Sequence, residues 1–402
     1  MAARRSYMKK IAIVSYGGLP LPPVKGGAVE NLIQFFVENN EQSKLAELTV
    51  FSSYDSAAEC EAHKYKNAKF VYIHAHKARD KITRFTNLAF MKLRFGARFQ
   101  VFPYLIEIVK IIKKSDFDCV IVENRADYVP YLNRKLDIPV ILHMHNDYLR
   151  SGYYLARSVV DSCDKIIAVS DYVKKCILTI KDTDKVAVLR NVIDVKSFAG
   201  VSADVRNRVR EAHGIGRDDV VFAFVGRLTR SKGVAELVEA FSRVAEKHSN
   251  AKLLIVGAKW FSAGNESEFT KQLQASSERV KDKIIFTGYV EYSRIAEQYA
   301  CADVVVVPSV AGEACGLVVL EAMASGKALI VSDSGGIPEH IAPGGAIVIP
   351  RGEGFVGGLS AAMEKLIMDS ALVKSMGENG AARADMYDRN EYLKHLLDLI
   401  GD

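Results

Sequence analysis

Short runs of apolar residues alternate with longer amphipathic stretches along the whole chain. The runs are rich in Val and Ile and show no apolar–polar alternation, which is typical of parallel strands covered on both faces. Helical patterns between the runs predict βαβ units and therefore two parallel sheets. The predicted strands are 10–16, 48–53, 69–75, 119–124, 139–145, 165–170 and 185–191 in a first series, and 220–226, 252–258, 283–288, 303–309, 328–333 and 346–350 in a second.

A polar, glycine-containing stretch over 192–218 separates the two series. We therefore expect two doubly wound α/β domains that face each other across a cleft, residues 1–195 and residues 196–384. Residues 385–402 are expected to form a C-terminal helix that packs back towards the first domain. Sheets of this kind bind ligands beyond the carboxyl ends of their strands, so the chemistry is expected in the loops that follow strands.

The composition agrees with a globular protein and excludes several other classes. Of the 402 residues, 49% are hydrophobic and 25% are charged, which excludes a disordered or collagen-like chain. No stretch approaches the roughly 20 apolar residues of a membrane-spanning helix, and the basic N-terminus lacks a signal-peptide core. The six cysteines form no CxxC pair, so we expect reduced cysteines in a cytoplasmic protein.

The loop GRLTRSKG (226–233) directly follows a predicted strand and precedes a helical pattern. It brings Arg227 and Lys232 to the strand end, beside the start of a helix. Two cations at a helix N-terminus are suited to a polyanion such as a diphosphate. A solvated basic turn is the alternative, and it would be favoured if the pair of cations stood alone.

The segment EACGLVVLE (313–321) follows another predicted strand. The N–H groups at Gly316, Leu317 and Val318 are helix-start donors that suit phosphate oxygens. Glu321 can accept hydrogen bonds from two neighbouring ribose hydroxyls. An ordinary surface helix is the alternative, but it explains poorly why Glu321 lies in an apolar sequence, where an unpaired charge is costly.

Two loops in the first half of the chain also follow predicted strands. In KGGAVE, Gly26 and Gly27 permit close approach of the backbone to a ligand, although a flexible glycine loop is the simpler reading. In LHMHND, His145 ends an apolar strand, a position where a lone histidine is more often a core residue. Further polar residues at strand ends could line an acceptor side: Asn124, Arg125, Asp147 and Asn191.

These four segments and SGGIPE (334–339) together resemble the motifs of the retaining glycosyltransferase family 4, which has the GT-B fold. The resemblance covers nearly the whole chain, with the motifs in order. It implies transfer of a hexosyl or N-acetylhexosaminyl group from a nucleotide-diphosphate donor, by family frequency a UDP-sugar. The acceptor would be a glycan or lipid-linked molecule in bacterial-type cell-surface polysaccharide or glycoconjugate synthesis, and no cofactor is implied.

The resemblance also implies roles for individual residues. Arg227 and Lys232 would bind the donor diphosphate, and Glu321 would hold the ribose. His145 would point at the reacting sugar, whereas His143 is expected to face the other side of its strand. The implied catalytic residues are His145, Arg227, Lys232 and Glu313, and the implied donor-binding residues are Gly26, Gly27, Arg227, Lys232, Cys315, Gly316, Leu317 and Glu321.

Metal binding is not expected. Asp-x-Asp occurs twice, at Asp116 and Asp118 and at Asp182 and Asp184, and such a pair could hold Mg²⁺ against a diphosphate. Both pairs precede predicted strands, at the end opposite the expected ligand site. The cations of GRLTRSKG would supply the positive charge instead.

The stretch 77–100 carries seven cations against one carboxylate, a surplus equal to the net charge of +6 of the whole chain. Aromatic and apolar residues are interleaved with the cations. This pattern suits an anionic membrane surface, which would make the protein peripheral on the inner face of the membrane. Packing on the first domain explains it equally well, and no recognition motif supports nucleic acid.

Other functions remain compatible with two facing domains of this type. A nucleotide-sugar epimerase or a phosphorylase could use the same fold. A non-catalytic glycosyltransferase partner could also retain it, but it would have little reason to keep Arg227, Lys232, Glu313 and Glu321 together.

Overall fold

The computed structural model describes residues 8–74, 102–258 and 268–401, which form two compact units. The first unit comprises Met1–Asn191 together with Asn390–Asp402, and the second comprises Val192–Arg389. The chain therefore leaves the first unit at Asn191 and returns to it for its last helix. The basic stretch 77–100 falls outside the described residues.

The first unit is built on a seven-stranded sheet whose strands are all parallel. Their order is β3-β2-β1-β4-β5-β6-β7. The strands are β1 (Lys9–Val14), β2 (Ala46–Ser53), β3 (Ala68–Ile73), β4 (Cys119–Glu123), β5 (Val140–Met144), β6 (Lys165–Ala168) and β7 (Val186–Val188). The helices are α1 (Ala28–Ser43), α2 (Ser56–Ala62), α3 (Pro103–Ile112), α4 (Val129–Lys135), α5 (Ala156–Ser162) and α6 (Asp171–Leu178).

The second unit is built on a six-stranded parallel sheet of order β10-β9-β8-β11-β12-β13. The strands are β8 (Val220–Val225), β9 (Ala251–Val256), β10 (Ile284–Gly288), β11 (Val304–Val307), β12 (Ala328–Ser332) and β13 (Ala346–Ile349). The helices are α7 (Val195–Ala199), α8 (Ala203–Ala212), α9 (Val234–Ala245), α10 (Glu268–Ser276), α11 (Ile295–Cys301), α12 (Leu317–Ala324), α13 (Ile337–His340), α14 (Phe355–Met368) and α15 (Ser370–Ala384).

The last helix, α16 (Tyr392–Ile400), packs on α1 of the first unit. The ring of Tyr392 stacks on Phe36 with the ring centroids 4.4 Å apart. The backbone N–H of Leu393 donates to Oδ1 of Asn39 at 3.1 Å. An aromatic stack and a buried hydrogen bond thus fix the C-terminal helix to the first unit.

The predicted fold class of two parallel, doubly wound α/β sheets is confirmed. Each of the thirteen apolar runs overlaps one strand of the described chain. The central strands are buried on both faces; Ile11–Val14 of β1 and every residue of β4 and β5 are buried. Double-sided burial is the reason these strands lack apolar–polar alternation.

The two strand orders determine where ligands can bind. The order reverses between β1 and β4 in the first sheet and between β8 and β11 in the second. Loops leave such a reversal point towards opposite faces of the sheet and open a crevice at the strand carboxyl ends. None of the helices in the described ranges is long and apolar enough to cross a bilayer.

Candidate functional site

The loop after β8 carries the predicted cations of the second unit. A short 3-10 turn, Arg230–Lys232, leads to Gly233, from which α9 begins. Gly233 has a φ of 70°, and a Cβ at this position would lie 1.8 Å from the carbonyl oxygen of Pro308. Only glycine fits there, because the loop after β8 lies directly against the loop after β11.

Lys232 and Glu313 are 81 residues apart in sequence, and the fold brings them into an ion pair. Oε1 of Glu313 also accepts a hydrogen bond of 3.0 Å from the hydroxyl of Ser309. The two side chains remain 27% and 17% exposed. An ion pair this open contributes only about 0–1 kcal/mol to stability, so its significance lies in where it places the charges.

Further hydrogen bonds join the loops at the carboxyl end of this sheet. The carbonyl of Ser231 accepts from the N–H groups of Val310 and Ala311 at 3.0 and 3.2 Å. The N–H of Gly336, in SGGIPE, donates to the carbonyl of Glu313 at 2.8 Å. The loops after β8, β11 and β12 therefore form one assembly around Lys232 and Glu313.

Arg227 lies on the exposed side of the same assembly. No hydrogen bond or ion pair reaches its side chain from residues 8–74, 102–258 or 268–401. The strand end thus presents one exposed cation and one half-buried, carboxylate-held cation, which is an arrangement open to a polyanion.

Helix α12 begins beside these cations. Gly316, with a φ of 79°, precedes its first residue, Leu317. The N–H groups of Leu317 and Val318 lie in the first turn, where no helical carbonyl can accept from them. Cys315 is buried, with only 3% of its surface exposed. The helix start therefore offers backbone donors, while Cys315 before it is buried.

Glu321, one turn further along α12, is buried and held by two tyrosines of the preceding helical segment. The hydroxyl of Tyr299 donates to Oε2 of Glu321 at 2.7 Å, and Tyr292 provides the second hydroxyl. Burial raises the pKa of Glu321 to about 7, although both tyrosine hydrogen bonds oppose the shift. Sequence reasoning missed these tyrosines, because nothing in their local pattern marks them as partners of a residue on another helix.

The site residues of the first unit surround the ends of β4 and β5. Nε2 of His145 lies 2.9 Å from Oε2 of Glu123, and Nδ1 of His143 lies 3.1 Å from the same oxygen. The prediction that His143 faces away from His145 is wrong, since residues two apart on a strand share a face. Their ring centroids are 4.1 Å apart. Sequence reasoning also missed Glu123, which ends the apolar run CVIVE.

Electrostatics in this cluster favours a carboxylate beside a neutral imidazole. Burial opposes ionisation of Glu123, but the two histidines outweigh it and lower the pKa of its carboxyl. Burial and then the neighbouring His143 lower the pKa of His145 to about 4. Burial raises the pKa of Glu30 in α1 to about 7, and the charge of Glu123 adds to the shift.

Gly26 and Gly27 form the turn that leads into α1, with φ angles of 71° and 121°. A Cβ on Gly27 would lie 2.1 Å from Oε2 of Glu30, so the glycine leaves space for the buried carboxyl. The predicted role of this loop in binding a ligand stays a prediction.

The residues predicted for the acceptor side are mostly engaged in local hydrogen bonds. Asn124 has a φ of 55°, and its Oδ1 accepts from the N–H of His145 at 3.1 Å. Arg125 makes a two-pronged bond to Asp127, at 2.7 and 2.6 Å. These contacts hold the loop after β4 in place, and they leave the acceptor role of Asn124 and Arg125 a prediction.

Asp147 and Asn191, the other two acceptor-side candidates, differ from each other in their surroundings. Asp147 accepts a hydrogen bond of 2.9 Å from the hydroxyl of Tyr172. Asn191 is buried, and its Oδ1 has no hydrogen-bond partner in the described part of the chain.

Glu123, His143 and His145 form the one group, within the residues that the structure describes, with a spacing that could hold a metal ion. The Asp-x-Asp pairs lie at strand amino ends instead. Oδ2 of Asp118 accepts from the backbone N–H of Lys10 at 2.7 Å, and Asp116 pairs with the Lys10 side chain. Asp116 and Asp118 therefore join the starts of β1 and β4.

Two family models match the chain. Glycosyltransferase Family 4 matches residues 47–197, and Glycosyl transferases group 1 matches residues 205–383. Together they account for more than three quarters of the sequence.

Individual proteins are similar over most of the chain. Spore coat protein SA of Bacillus subtilis is 28% identical over 347 residues, which is 83% of this chain and 84% of that protein. A lipopolysaccharide 1,2-N-acetylglucosaminetransferase of Salmonella typhimurium is 27% identical over 252 residues, 61% and 64% of the two chains. The solved structure of Anabaena HepE in complex with UDP-glucose is similar in fold, with a TM-score of 0.75 at 18% identity, and covers 97% of this chain and 99% of that one.

Proposed function

The chain belongs to the group 1 glycosyl transferases of the retaining glycosyltransferase family 4, and on that premise we propose that it moves a hexosyl or N-acetylhexosaminyl group from UDP to a hydroxyl of a glycan or lipid-linked acceptor. Two relatives support this choice of donor. HepE is bound to UDP-glucose, and the Salmonella protein is an N-acetylglucosaminetransferase. The proposed setting is the synthesis of bacterial cell-surface polysaccharide or glycoconjugate.

The observation that carries the proposal is the cationic assembly at the reversal point of the second sheet. Arg227 is exposed there, Lys232 is held by Glu313, and the start of α12 adjoins them. A leaving diphosphate gains negative charge as its bond to the sugar breaks. Preorganised donors of this kind contribute about 3–4 kcal/mol each to lowering such a barrier. We assign the diphosphate to Arg227, Lys232 and the backbone at Cys315, Gly316 and Leu317.

Glu321 suits the ribose of the same donor. Its carboxylate lies in α12, the helix whose first turn we assign to the diphosphate, and a nucleotide carries its ribose next to its phosphates. Displacing the half-exposed Tyr292 would free one carboxylate oxygen, while the buried Tyr299 keeps the other in position.

Residues of the first unit have a supporting part in this proposal. His145 would orient the donor sugar, and Gly26 and Gly27 would let their loop close on the donor phosphates. Glu313 would face the sugar once the diphosphate competes for Lys232. Asn124, Arg125, Asp147 and Asn191 are assigned to the acceptor side.

The proposed reaction needs no acid–base pair of carboxylates. The bond from the anomeric carbon to the diphosphate oxygen breaks, and the acceptor oxygen forms the new bond on the same face. The proton of the acceptor hydroxyl passes to the departing phosphate. Arg227 and Lys232 stabilise the charge on that phosphate, so a divalent cation is not required.

The proposed location is the cytoplasmic face of an anionic membrane, and its support is the charge pattern of 77–100 alone. Neutralising Lys92, Arg94 and Arg98 together should weaken cosedimentation with liposomes that contain anionic lipid. Unchanged cosedimentation would favour packing of this stretch on the protein.

The decisive experiment measures UDP release and product formation with UDP-glucose and UDP-N-acetylglucosamine. Purified protein is incubated with each donor and a membrane glycolipid extract, and the anomeric configuration of any product is read by NMR. A product of retained configuration supports the proposal. An isomerised nucleotide sugar without acceptor, or a sugar 1-phosphate formed with inorganic phosphate, would replace it with an epimerase or a phosphorylase.

A further inference from the structure

The buried cluster at the ends of β4 and β5 contains one carboxylate and two imidazoles that bind it through different nitrogens. His145 approaches Glu123 with Nε2 at 2.9 Å, and His143 approaches with Nδ1 at 3.1 Å. The exposed fractions of the three side chains are 0% for Glu123 and His143 and 4% for His145. Water therefore does not mediate these contacts, and the hydrogen-bonding inventory of the cluster must balance internally.

An ionised carboxylate only accepts hydrogen bonds. Each imidazole nitrogen that faces Glu123 must therefore carry the hydrogen. The opposite nitrogens, Nδ1 of His145 and Nε2 of His143, are buried and have no hydrogen-bond partner among the residues described. A buried N–H without an acceptor is rarer in proteins than an acceptor without a donor, so these nitrogens are the ones without hydrogen.

We propose that Glu123 is the positioning residue of this cluster, which holds His145 as the Nε2–H tautomer and His143 as the Nδ1–H tautomer and leaves Nδ1 of His145 without a hydrogen. Two separate observations agree on this assignment: the nitrogens that face the carboxylate, and the nitrogens that face nothing. The lowered pKa of His145 also keeps it neutral.

A metal ion on the same three residues is the competing interpretation. Histidines that bind a metal almost always donate their other ring N–H to a carboxylate or a carbonyl. The other ring nitrogens here have no such partner within the described ranges. The hydrogen-bonded cluster therefore accounts for the surroundings of both rings better than a metal centre does.

A role of His145 in orienting a sugar rests on the proposed function, whereas the tautomers do not. With Nδ1 free of hydrogen, His145 has no proton to donate through that atom and can only accept there. Because Nδ1 is buried, a sugar hydroxyl would reach it only after the ring or the residues that cover it had moved. His143, whose ring centroid lies 6.3 Å from that of Phe36, contacts the carboxylate through Nδ1.

The test is ¹⁵N NMR of the full chain labelled at histidine, recorded at pH 8. We expect the hydrogen-bearing nitrogen signal at Nε2 for His145 and at Nδ1 for His143, with each resonance assigned by the loss of its signal in His145→Asn or His143→Asn. The Nδ1–H form of His145, or an imidazolium at either position, would overturn the inference.

Glu123→Leu sharpens the test, because a leucine side chain accepts no hydrogen bond from either ring. Both rings then lose the acceptor that fixes their N–H groups, so at least one of them should change tautomer. Glu30→Leu is the matched control. It removes a buried carboxyl that makes no hydrogen bond to either ring in the described chain, and it should leave both tautomers unchanged.

Folding and metal content are checked on the same samples. Thermal melting shows whether Glu123→Leu is folded. Stoichiometric Zn²⁺ in the wild type, lost in Glu123→Leu, would overturn the proposal in favour of a metal centre. Unchanged tautomers in a folded Glu123→Leu protein would also overturn it.

If transfer is established, Glu123→Leu should lower kcat roughly ten- to a hundredfold with little change in the KM of the donor, as expected for a misoriented group. The two proposals fail separately. If the tautomers are as proposed but no sugar is transferred, the proposed function is refuted and the positioning role of Glu123 stands. If sugar is transferred but the tautomers are the opposite ones, the proposed function stands and the positioning role is refuted.

Discussion

The cluster of Glu123, His143 and His145 in the first unit differs from the assembly of Arg227, Lys232 and Glu313 in the second in how it holds charge. The first is closed, with side chains 4% exposed or less, and each charge is satisfied within the protein. The second is open, with Arg227 exposed and Lys232 27% exposed. A buried network fixes orientation and tautomer in advance, whereas exposed cations keep their charge for an incoming polyanion.

Because of this difference, the two regions should respond differently to salt. Interactions of exposed charges weaken with salt over a Debye length of about 10 Å at 0.1 M, while buried pairs are screened much less. If the second unit binds the donor nucleotide as proposed, its affinity should therefore depend on ionic strength, whereas the tautomers of the first unit should not. Substitutions, pH and chelation can test this contrast between the two regions.

Removing either cation should have the largest effect. Arg227→Ala and Lys232→Ala should each lower turnover by about 100- to 1,000-fold, because each removes a stabilising charge from the leaving diphosphate. Arg230→Ala is the matched control in the same loop, since Arg230 lies over the ring of Phe269 instead. Near-normal turnover in both folded variants would end the assignment of the diphosphate to this loop.

Adding a side chain where the loops after β8 and β11 touch should lower the stability of the protein. Gly233→Ala should lower the free energy of unfolding by about 3 kcal/mol or more, because its Cβ would meet Pro308. Gly214 has a similar φ of 66° but nothing within 4 Å, so Gly214→Ala should cost only about 1–2 kcal/mol. Equal losses in urea titrations would show that the loops do not lie this close.

Glu321→Gln, which removes the carboxylate, should weaken UDP binding about tenfold, as measured by calorimetry. Tyr299→Phe should have a smaller effect, since it removes only the hydrogen bond that fixes Oε2. Pyrophosphate lacks ribose and serves as the control ligand. If Glu321→Gln weakened pyrophosphate equally, Glu321 would not be a ribose contact.

The pH dependence of UDP binding should follow the raised pKa of Glu321, which faces Tyr292 and Tyr299. Below a pH of about 7 the carboxyl is protonated, so affinity should fall as pH falls, by at most tenfold per unit. The free energy of unfolding should instead rise as pH falls through this range. The reason is that the folded state, with its raised pKa, binds the proton of Glu321 more tightly than the unfolded state does. In Glu321→Gln the phosphate of UDP still titrates, but residue 321 does not. If UDP affinity changed with pH as steeply in this variant as in the wild type, the assignment would be contradicted.

Chelation should have the smallest effect. EDTA should leave UDP binding and transfer unchanged, because cations of the protein take the part of a metal. Activity lost with EDTA and restored by Mg²⁺ would show that the second unit needs a divalent ion after all.

Local patterns were sufficient for the strands and for the contiguous motifs. Thirteen apolar runs predicted the thirteen strands of the described chain, because burial on both faces leaves a direct mark in the sequence. The cationic loop was equally visible, since Arg227 and Lys232 stand close together after one strand. The partners of the site residues were not visible in this way. Tyr299 reaches Glu321 across 22 residues, and Glu123 reaches His145 across the same distance.

The sequence by itself determined the architecture and the position of the candidate loops, because periodicity and strand-end residues are local properties. Only the tertiary structure decided which groups meet. The ion pair of Lys232 with Glu313 depends on the packing of loops from β8 and β11, strands that are adjacent in the sheet but distant in sequence. Hydrogen-bond partners and pKa values follow from such proximity and burial, and neither is encoded at any single position of the chain.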